Sequence, residues 1–303
     1  MSHTVAIIGC GLIGRAWTIV FARAGSNVRI WDSSPSVLEN AMDALHATCI
    51  EAGEDPAILS SVTTASDMRA ALKEVDWVQE NGPEHLEIKQ QIYADLDRFA
   101  PPEAILASSS SALVASQFAS ELKGRSRILV AHPVNPPHVI PVVELCPSPD
   151  TATDVMDRAE TLMRDIGQVP VRLSQEIDGF VLNRLQAVLL AEALSLVAQG
   201  IVTPQGLDDT IAHGLGRRWT LMGPLATINL NAPGGIADYL DRYGPTMARL
   251  SDSAARGEAF AAETAQSIAA TLPSPDQVPT LSRQRDERLA ALSRFLTSTS
   301  QDK

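Results

Sequence analysis

The chain has 303 residues, 45% of them hydrophobic and 20% charged, with a formal net charge of -12 and a pI of about 4.9. This is the composition of a globular protein with enough length for two domains or one large one. The acidic balance argues against nucleic acid or an anionic membrane surface as the main partner, although a local basic cluster can still hold an anionic substrate.

In chain order, "TVAII" (Thr4–Ile8) reads as a buried strand and "LIGRAWTIVFARAG" (Leu12–Gly25) as a helix closed by glycine. Asn27–Asp32 is the next strand, followed by strand candidates at Asp76–Glu80, Ala104–Ser108, Arg127–His132, Val142–Leu145 and Val169–Leu173. Helical patterns lie between several of them, notably Glu84–Phe99, and this alternation implies a parallel sheet with helices on both faces. After about Asp178 the strands stop. Gly179–Gly200 is a long helix, apolar nearly all round, and so expected to be buried between domains or between subunits. "TPQGLDDTIAHGLG" begins with a threonine cap and a proline in the first turn, and the segment from Leu281 to Ser298 is a last amphipathic helix. The expected fold is therefore α/β: a Rossmann-like domain over residues 1–177, then an all-helical domain over 178–303.

Cys10, Cys49 and Cys146 are odd in number and lack metal or redox spacing, so no metal is expected and a reducing cytosol fits. No signal peptide precedes the first strand, and every apolar run is too short or too interrupted by charge to span a bilayer. The expectation is a cytoplasmic protein without a membrane partner.

"GCGLIG" places Gly9, Gly11 and Gly14 in GxGxxG spacing between a strand and a helix, and the next strand ends in Asp32, roughly 20 residues on. Glycines permit the sharp turn and the close approach of a pyrophosphate, and the helix N-terminus offers it free N–H groups. Asp32 can accept hydrogen bonds from an adenosine ribose, or else cap the following helix. Ser33, Ser34 and Pro35 come directly after it, with no arginine or lysine among them, which favours NAD over NADP.

A nicotinamide cofactor implies hydride transfer, and oxidising an alcohol also requires a base for the hydroxyl proton. His132, where a strand ends in "AHPVNPPHVIPVVEL", is the candidate base, with Glu144 beyond the proline-rich arch as its orienting carboxylate. The serine run "ASSSSAL" offers hydroxyls to a substrate oxygen, and Asn183 is a polar group near the start of the apolar helix. His138 and His85 read as solvated residues.

Together, GxGxxG, "SSSSAL", "HPVNPP…VVEL" and "GFVLNR" resemble the 3-hydroxyacyl-CoA dehydrogenase superfamily over nearly the whole chain. Within it, "AHPVNPPHVIPVVEL" and "GLGRRWTLMGPLATINLN" are most similar to the L-gulonate 3-dehydrogenase branch, which includes the lambda-crystallins. The resemblance implies a catalytic serine at Ser111, a base at His132, an orienting acid at Glu144 and an active-site asparagine at Asn183. It implies NAD contacts at Leu12, Ile13, Asp32, Glu84 and Lys89, and a helical domain that makes a homodimer. Relatives that use coenzyme A carry a lysine-rich arm after the second strand. Here that stretch holds only Arg69 and Lys73 among several acids, while Arg217 and Arg218 precede "MGP", where gulonate-type enzymes also have an arginine. Arg218 is the better candidate for a substrate carboxylate, since a guanidinium grips one bidentately. The expected activity is NAD-dependent oxidation of a small polar 3-hydroxy acid, gulonate-like, to the 3-keto acid. The alternatives are a short-chain 3-hydroxyacyl-CoA dehydrogenase and a non-catalytic, crystallin-like NAD(H)-binding protein.

Overall fold

A computed structural model describes residues 3–255, 257–269 and 272–300. Contacts divide the chain into two units: residues up to Val181 together with those from Pro279 onward, and Leu182–Val278. The first unit opens with β1 (Thr4–Ile8), α1 (Leu12–Arg23), β2 (Asn27–Trp31), α2 (Pro35–Glu39), α3 (Ala41–Ala52) and β3 (Val62–Thr64). It continues through α4 (Met68–Ala71), β4 (Trp77–Glu80), α5 (Leu86–Phe99), β5 (Ile105–Ser108), α6 (Ala115–Ala119) and β6 (Ile128–Pro133). Then come β7 (Val142–Pro147), α7 (Thr153–Asp165) and β8 (Val169–Arg172).

The strands form one sheet in the order β3-β2-β1-β4-β5-β6-β7-β8. Alternate residues of each strand serve opposite faces, which is why the central strands read as unbroken apolar runs. Val5, Ile7, Ile105 and Leu129 pack with Trp17, Phe21 and Met163 on one face. Ala6, Ile8, Leu106 and Val130 pack with Tyr93, Leu96 and Phe118 on the other.

The parallel sheet implied by the sequence needs one correction, because β6 and β7 pair antiparallel. A parallel crossover takes about a dozen residues or more, usually with a helix. The segment 134–141 is shorter than that and holds Pro136, Pro137 and Pro141, so the chain must turn straight back. β3 is not visible in the sequence; three residues at a sheet edge carry no period.

In the second unit the elements are α8 (Leu182–Ala198), α9 (Pro204–Thr210), α10 (Gly216–Trp219), α11 (Pro224–Asn229), α12 (Gly235–Asp252) and α13 (Ala262–Ala269). The Thr203 side chain caps α9 as expected, accepting from Gly206 N–H at 3.1 Å. A π-turn over Ile211–Leu215 then carries the helix past Gly214 into α10. On α8, Ala191 is the buried residue, while Leu185 and Val188 stand 64% and 70% exposed in the single chain. The last helix, α14 (Val278–Ser300), falls almost wholly in the first unit, whereas the expected boundary put all of 178–303 in the second. It runs beside the end of α3, where the Arg294 guanidinium comes within 3.6 Å of the place a Cβ on Gly53 would occupy.

Burial pushes all three cysteine thiols up, to about 12 at Cys10 and Cys146 and about 11 at Cys49, with nearby carboxylates adding to the effect. These thiols serve as small core residues.

One ion pair lies in the core itself. Lys89 Nζ reaches Glu80 Oε2 at 2.7 Å and Oε1 at 3.0 Å, with both side chains essentially unexposed. Ser108 Oγ donates to Glu80 Oε2 at 2.8 Å, and the Gly82 amide donates to Oε1 at 2.6 Å. Removing one partner strands the other charge. Lys89→Met should therefore cost about 3–5 kcal/mol of stability, and the double variant Glu80→Gln/Lys89→Met, which removes the stranded charge but keeps an acceptor for the Gly82 amide, should recover part of it. Urea unfolding of the three proteins measures both values.

Candidate active site

The site is assembled at the carboxyl ends of β1, β4, β5 and β6, where an open α/β sheet presents its loops to ligands. After β1 the chain turns through Gly9 at φ +93°, and a Cβ there would stand 2.8 Å from the Asn81 carbonyl oxygen. A Cβ on Gly14 would collide with the Gly9 carbonyl, which lets α1 approach the strand closely. A Cβ on Gly11 would meet nothing within 4 Å, so the space above that residue is open. No side chain caps α1 and no acid sits in its first turn, which leaves the first-turn amides available to an anion.

This loop borders a cavity of about 810 Å³ that extends over Asp32 and the β4–α5 connection at Asn81, Gly82 and Pro83. Asp32 is not the cap of α2, since Ser34 holds that position. Its carboxylate accepts from Cys10 N–H and Ser34 N–H, both at 2.8 Å, and lines the cavity with oxygens that can also receive ribose hydroxyls. Asp32, Glu87 and Asp95 line this space without an arginine or lysine, so a 2′-phosphate would find no counter-charge. The glycine cradle, the uncapped helix and the acid at its far end fit NAD.

Of the other nucleotide candidates, Leu12 is exposed at the start of α1 and Ile13 packs against the core. Lys89 is taken up by Glu80 beneath the loop. Glu84 turns to the serine loop, accepting from the Ser110 hydroxyl and, at 3.1 Å, from the Ala112 and Leu113 amides. Partial burial alone would raise its carboxyl pKa. These hydrogen bonds and the Lys89 charge bring it below the ordinary value instead.

The serine run resolves by position. Ser108 serves the Glu80–Lys89 pair. Ser109 Oγ accepts from Trp17 Nε1 at 3.1 Å and Gln79 Nε2 at 2.8 Å and donates to Asn81 Oδ1 at 2.7 Å. Ser110 holds Glu84. Ser111 is the exposed member, three residues beyond Ser108, which pairs with Val130 on β6 two residues before His132.

His132 and Glu144 stand opposite each other in the antiparallel register of β6 and β7. Both are buried, and His132 Nδ1 lies 2.9 Å from Glu144 Oε2. A carboxylate only accepts, so Nδ1 carries the proton and the Nε2 lone pair remains available as a base. The second oxygen, Oε1, accepts from Val181 N–H at 2.8 Å. The Phe180 ring, fully buried, lies 5.1 Å from the imidazole at a 36° tilt. Sequence reasoning misses Phe180 and Val181; the glycine of "GFVLNR" is the only local signal of a turn there.

The structure thus brings together the glycine loop with Asp32, and His132 with Glu144. Asn183 on α8 and Arg218 on α10 belong to the second unit, where Asn183 is half-buried and Arg218 exposed. His85 is exposed and pairs with Glu87 at 2.9 Å. His138 is not the solvated residue expected: it is half-buried, with Nδ1 making no hydrogen bond among the described residues, and burial together with Arg23 pushes its pKa down. No group of three or more His, Cys, Asp or Glu among the described residues is placed to hold a metal ion.

Most of the chain matches known proteins. Residues 4–177 match the 3-hydroxyacyl-CoA dehydrogenase NAD binding domain and residues 179–269 the C-terminal domain of the same enzymes. The chain is 41% identical to the lambda-crystallin homolog of Bos taurus over 96% of its length and 94% of that protein's. It is 34% identical to L-carnitine dehydrogenase of Streptomyces coelicolor, covering 80% and 78% of the two chains. Among solved structures, an NAD+-dependent 5-formyl-3-hydroxy-2-methylpyridine 4-carboxylic acid 5-dehydrogenase superposes with a TM-score of 0.84 at 27% identity, over 98% of this chain and 99% of the other. With both domains matched in order and the dinucleotide cradle in place, this chain belongs to the 3-hydroxyacyl-CoA dehydrogenase family of NAD-dependent oxidoreductases.

Proposed function

We propose that the chain oxidises the 3-hydroxyl of a small polar 3-hydroxy acid, gulonate-like, to the 3-keto acid. The observation that carries this reading is the buried His132–Glu144 pair, set on the same sheet edge as the dinucleotide cradle. NAD, held by the glycine loop and Asp32, would supply the acceptor for the hydride of the carbinol carbon. His132 Nε2 takes the hydroxyl proton as the carbonyl forms, and Glu144 steadies the resulting imidazolium while fixing the starting tautomer. Ser111 donates a hydrogen bond to the substrate oxygen. Asn183 steadies the substrate or the imidazole, and Arg218 holds the carboxylate.

A free acid is favoured over a coenzyme A ester by the acidic character of the segment after β2, which offers little to a polyanionic tail. Support also comes from relatives named for small molecules rather than thioesters, L-carnitine dehydrogenase among them. A second reading, a short-chain 3-hydroxyacyl-CoA dehydrogenase, draws on a relative in Gibberella moniliformis named 3-hydroxyacyl-CoA dehydrogenase, at 39% identity. A homodimer is supported by apolar side chains left uncovered on the second unit, with Leu221, Leu225 and Leu230 each about 70% exposed. The buried free thiols suit a reducing compartment, the cytoplasm. No helix among the described residues is long and apolar enough to cross a membrane.

Asp32→Asn should weaken NAD binding about tenfold or more by calorimetry, since a charged acceptor facing the ribose is lost, and should narrow the preference over NADP. His132→Gln should lower kcat by about 10²–10⁴ with NAD binding unchanged. Undiminished turnover would remove His132 as the base. NAD reduction across gulonate, 3-hydroxybutyrate, carnitine and 3-hydroxybutyryl-CoA should show turnover on free acids. Activity confined to the CoA ester would overturn the substrate class, and none on any of them would favour the crystallin-like reading.

A further inference from the structure

Packing alone does not account for the backbone at Phe180. Its φ is +50°, directly after Gly179 at +74°, and the only other non-glycine residue of positive φ among those described is Glu74. Side chains avoid this region because the Cβ crowds the backbone carbonyl, and a bulky aromatic is an unusual occupant. Glycine would adopt it without strain, and an aromatic in extended backbone could fill the same core. The chain uses neither solution. Backbone strain of this kind persists where the surroundings over-determine it, often at functional sites.

Two results follow from the conformation. Phe180 N–H donates to the Ile177 carbonyl at 3.1 Å, closing a tight turn that delivers the next amide, Val181 N–H, to Glu144 Oε1 at 2.8 Å. The same residue places its ring 5.1 Å from the imidazole of His132. The backbone serves the carboxylate while the side chain serves the base. Both are met only by an aromatic residue in left-handed backbone.

We propose that Phe180 is a positioning residue for the base: its left-handed backbone holds Val181 N–H on Glu144, and its ring fixes the plane of the His132 imidazole. Each Glu144 oxygen then has its own donor, His132 Nδ1–H on one and Val181 N–H on the other, so the carboxylate cannot turn away. An imidazole held at Nδ1 alone could still swing about that bond, and the ring removes the freedom. A base displaced by about 1 Å loses rate steeply, which is the reason to spend strain here.

The inference rests on His132 being the base, but its first readout does not require turnover. In the NAD-free full chain, an imidazole N–H bonded to a buried carboxylate gives a low-field proton resonance, and amide exchange reports on Val181. Phe180→Val disfavours left-handed backbone. It should lose the resonance, as Glu144→Gln does, exchange faster at Val181, and drop kcat about 100-fold with KM changed less than about threefold. Phe180→Gly is at ease in this conformation but lacks the ring. It should keep the resonance and the slow exchange while kcat falls about tenfold. A folded Phe180→Val protein with both signals unchanged overturns the proposal. So does a Phe180→Gly protein that loses both signals or turns over as the parent does, and that variant decides alone if Phe180→Val does not fold. Signals that move as expected in a protein inactive on every hydroxy acid would keep the positioning role and discard the reaction.

Discussion

The site depends on a connection too short to cross the sheet. Between β6 and β7 the chain has only the segment 134–141, stiffened by proline, and the sole open course is back along the strand it has just left. Antiparallel pairing then sets residues opposite one another, with side chains of a pair on the same face. His132 and Glu144 are such a pair, so the imidazole meets the carboxylate through strand register, without a long side-chain reach or a flexible loop. The carboxylate is desolvated, which makes its donors indispensable: a buried charge is tolerated when its oxygens are bonded. The imidazole supplies one and the Val181 amide another.

The cofactor side is held by a second set of constraints. Asn81, at the end of β4, bonds through its side-chain nitrogen to the Ile8 and Gln79 carbonyls and through its oxygen to Ser109. Ser109 in turn receives Trp17 from α1. The ends of β1, β4 and β5 and the helix that opens the dinucleotide loop are thereby tied in one polar network. Beneath it the Glu80–Lys89 pair anchors the Gly82 amide, which borders the cavity. Satisfied networks of this kind stiffen a site because any displacement leaves a buried partner unbonded.

Much of this is legible in the sequence. The glycine spacing, the strand before it and the acid after the next strand report directly on local backbone, and each falls where expected. The pairing of His132 with Glu144 is readable from the proline arch, although the direction of β7 is not, since strand period carries no polarity. Lys89 is harder. A lysine on an amphipathic helix reads as solvent-facing or cofactor-facing, and its partner Glu80 ends a strand nine residues earlier, so only tertiary packing reveals the pair. Phe180 is illegible for a related reason: a left-handed phenylalanine has no signature in composition or period beyond the glycine before it. The final helix is predicted as an element, but the unit it joins depends on contacts far apart in sequence.

The imidazole–carboxylate pair and the residues packed on it, His132, Glu144, Phe180 and Val181, all lie in the first unit, and Val181 is the last residue before the chain enters the second. Asn183 and Arg218, the candidates for reading the rest of the substrate, lie beyond that point. On the proposed reading, proton abstraction and substrate choice are encoded in separate stretches of chain. On that reading, mutations in the helical unit would explore new acids without dismantling the dyad, an arrangement in which specificity drifts over evolutionary time while the chemistry stays constant. A relative named for carnitine and a structural neighbour named for a pyridine carboxylic acid are what such a division would leave behind.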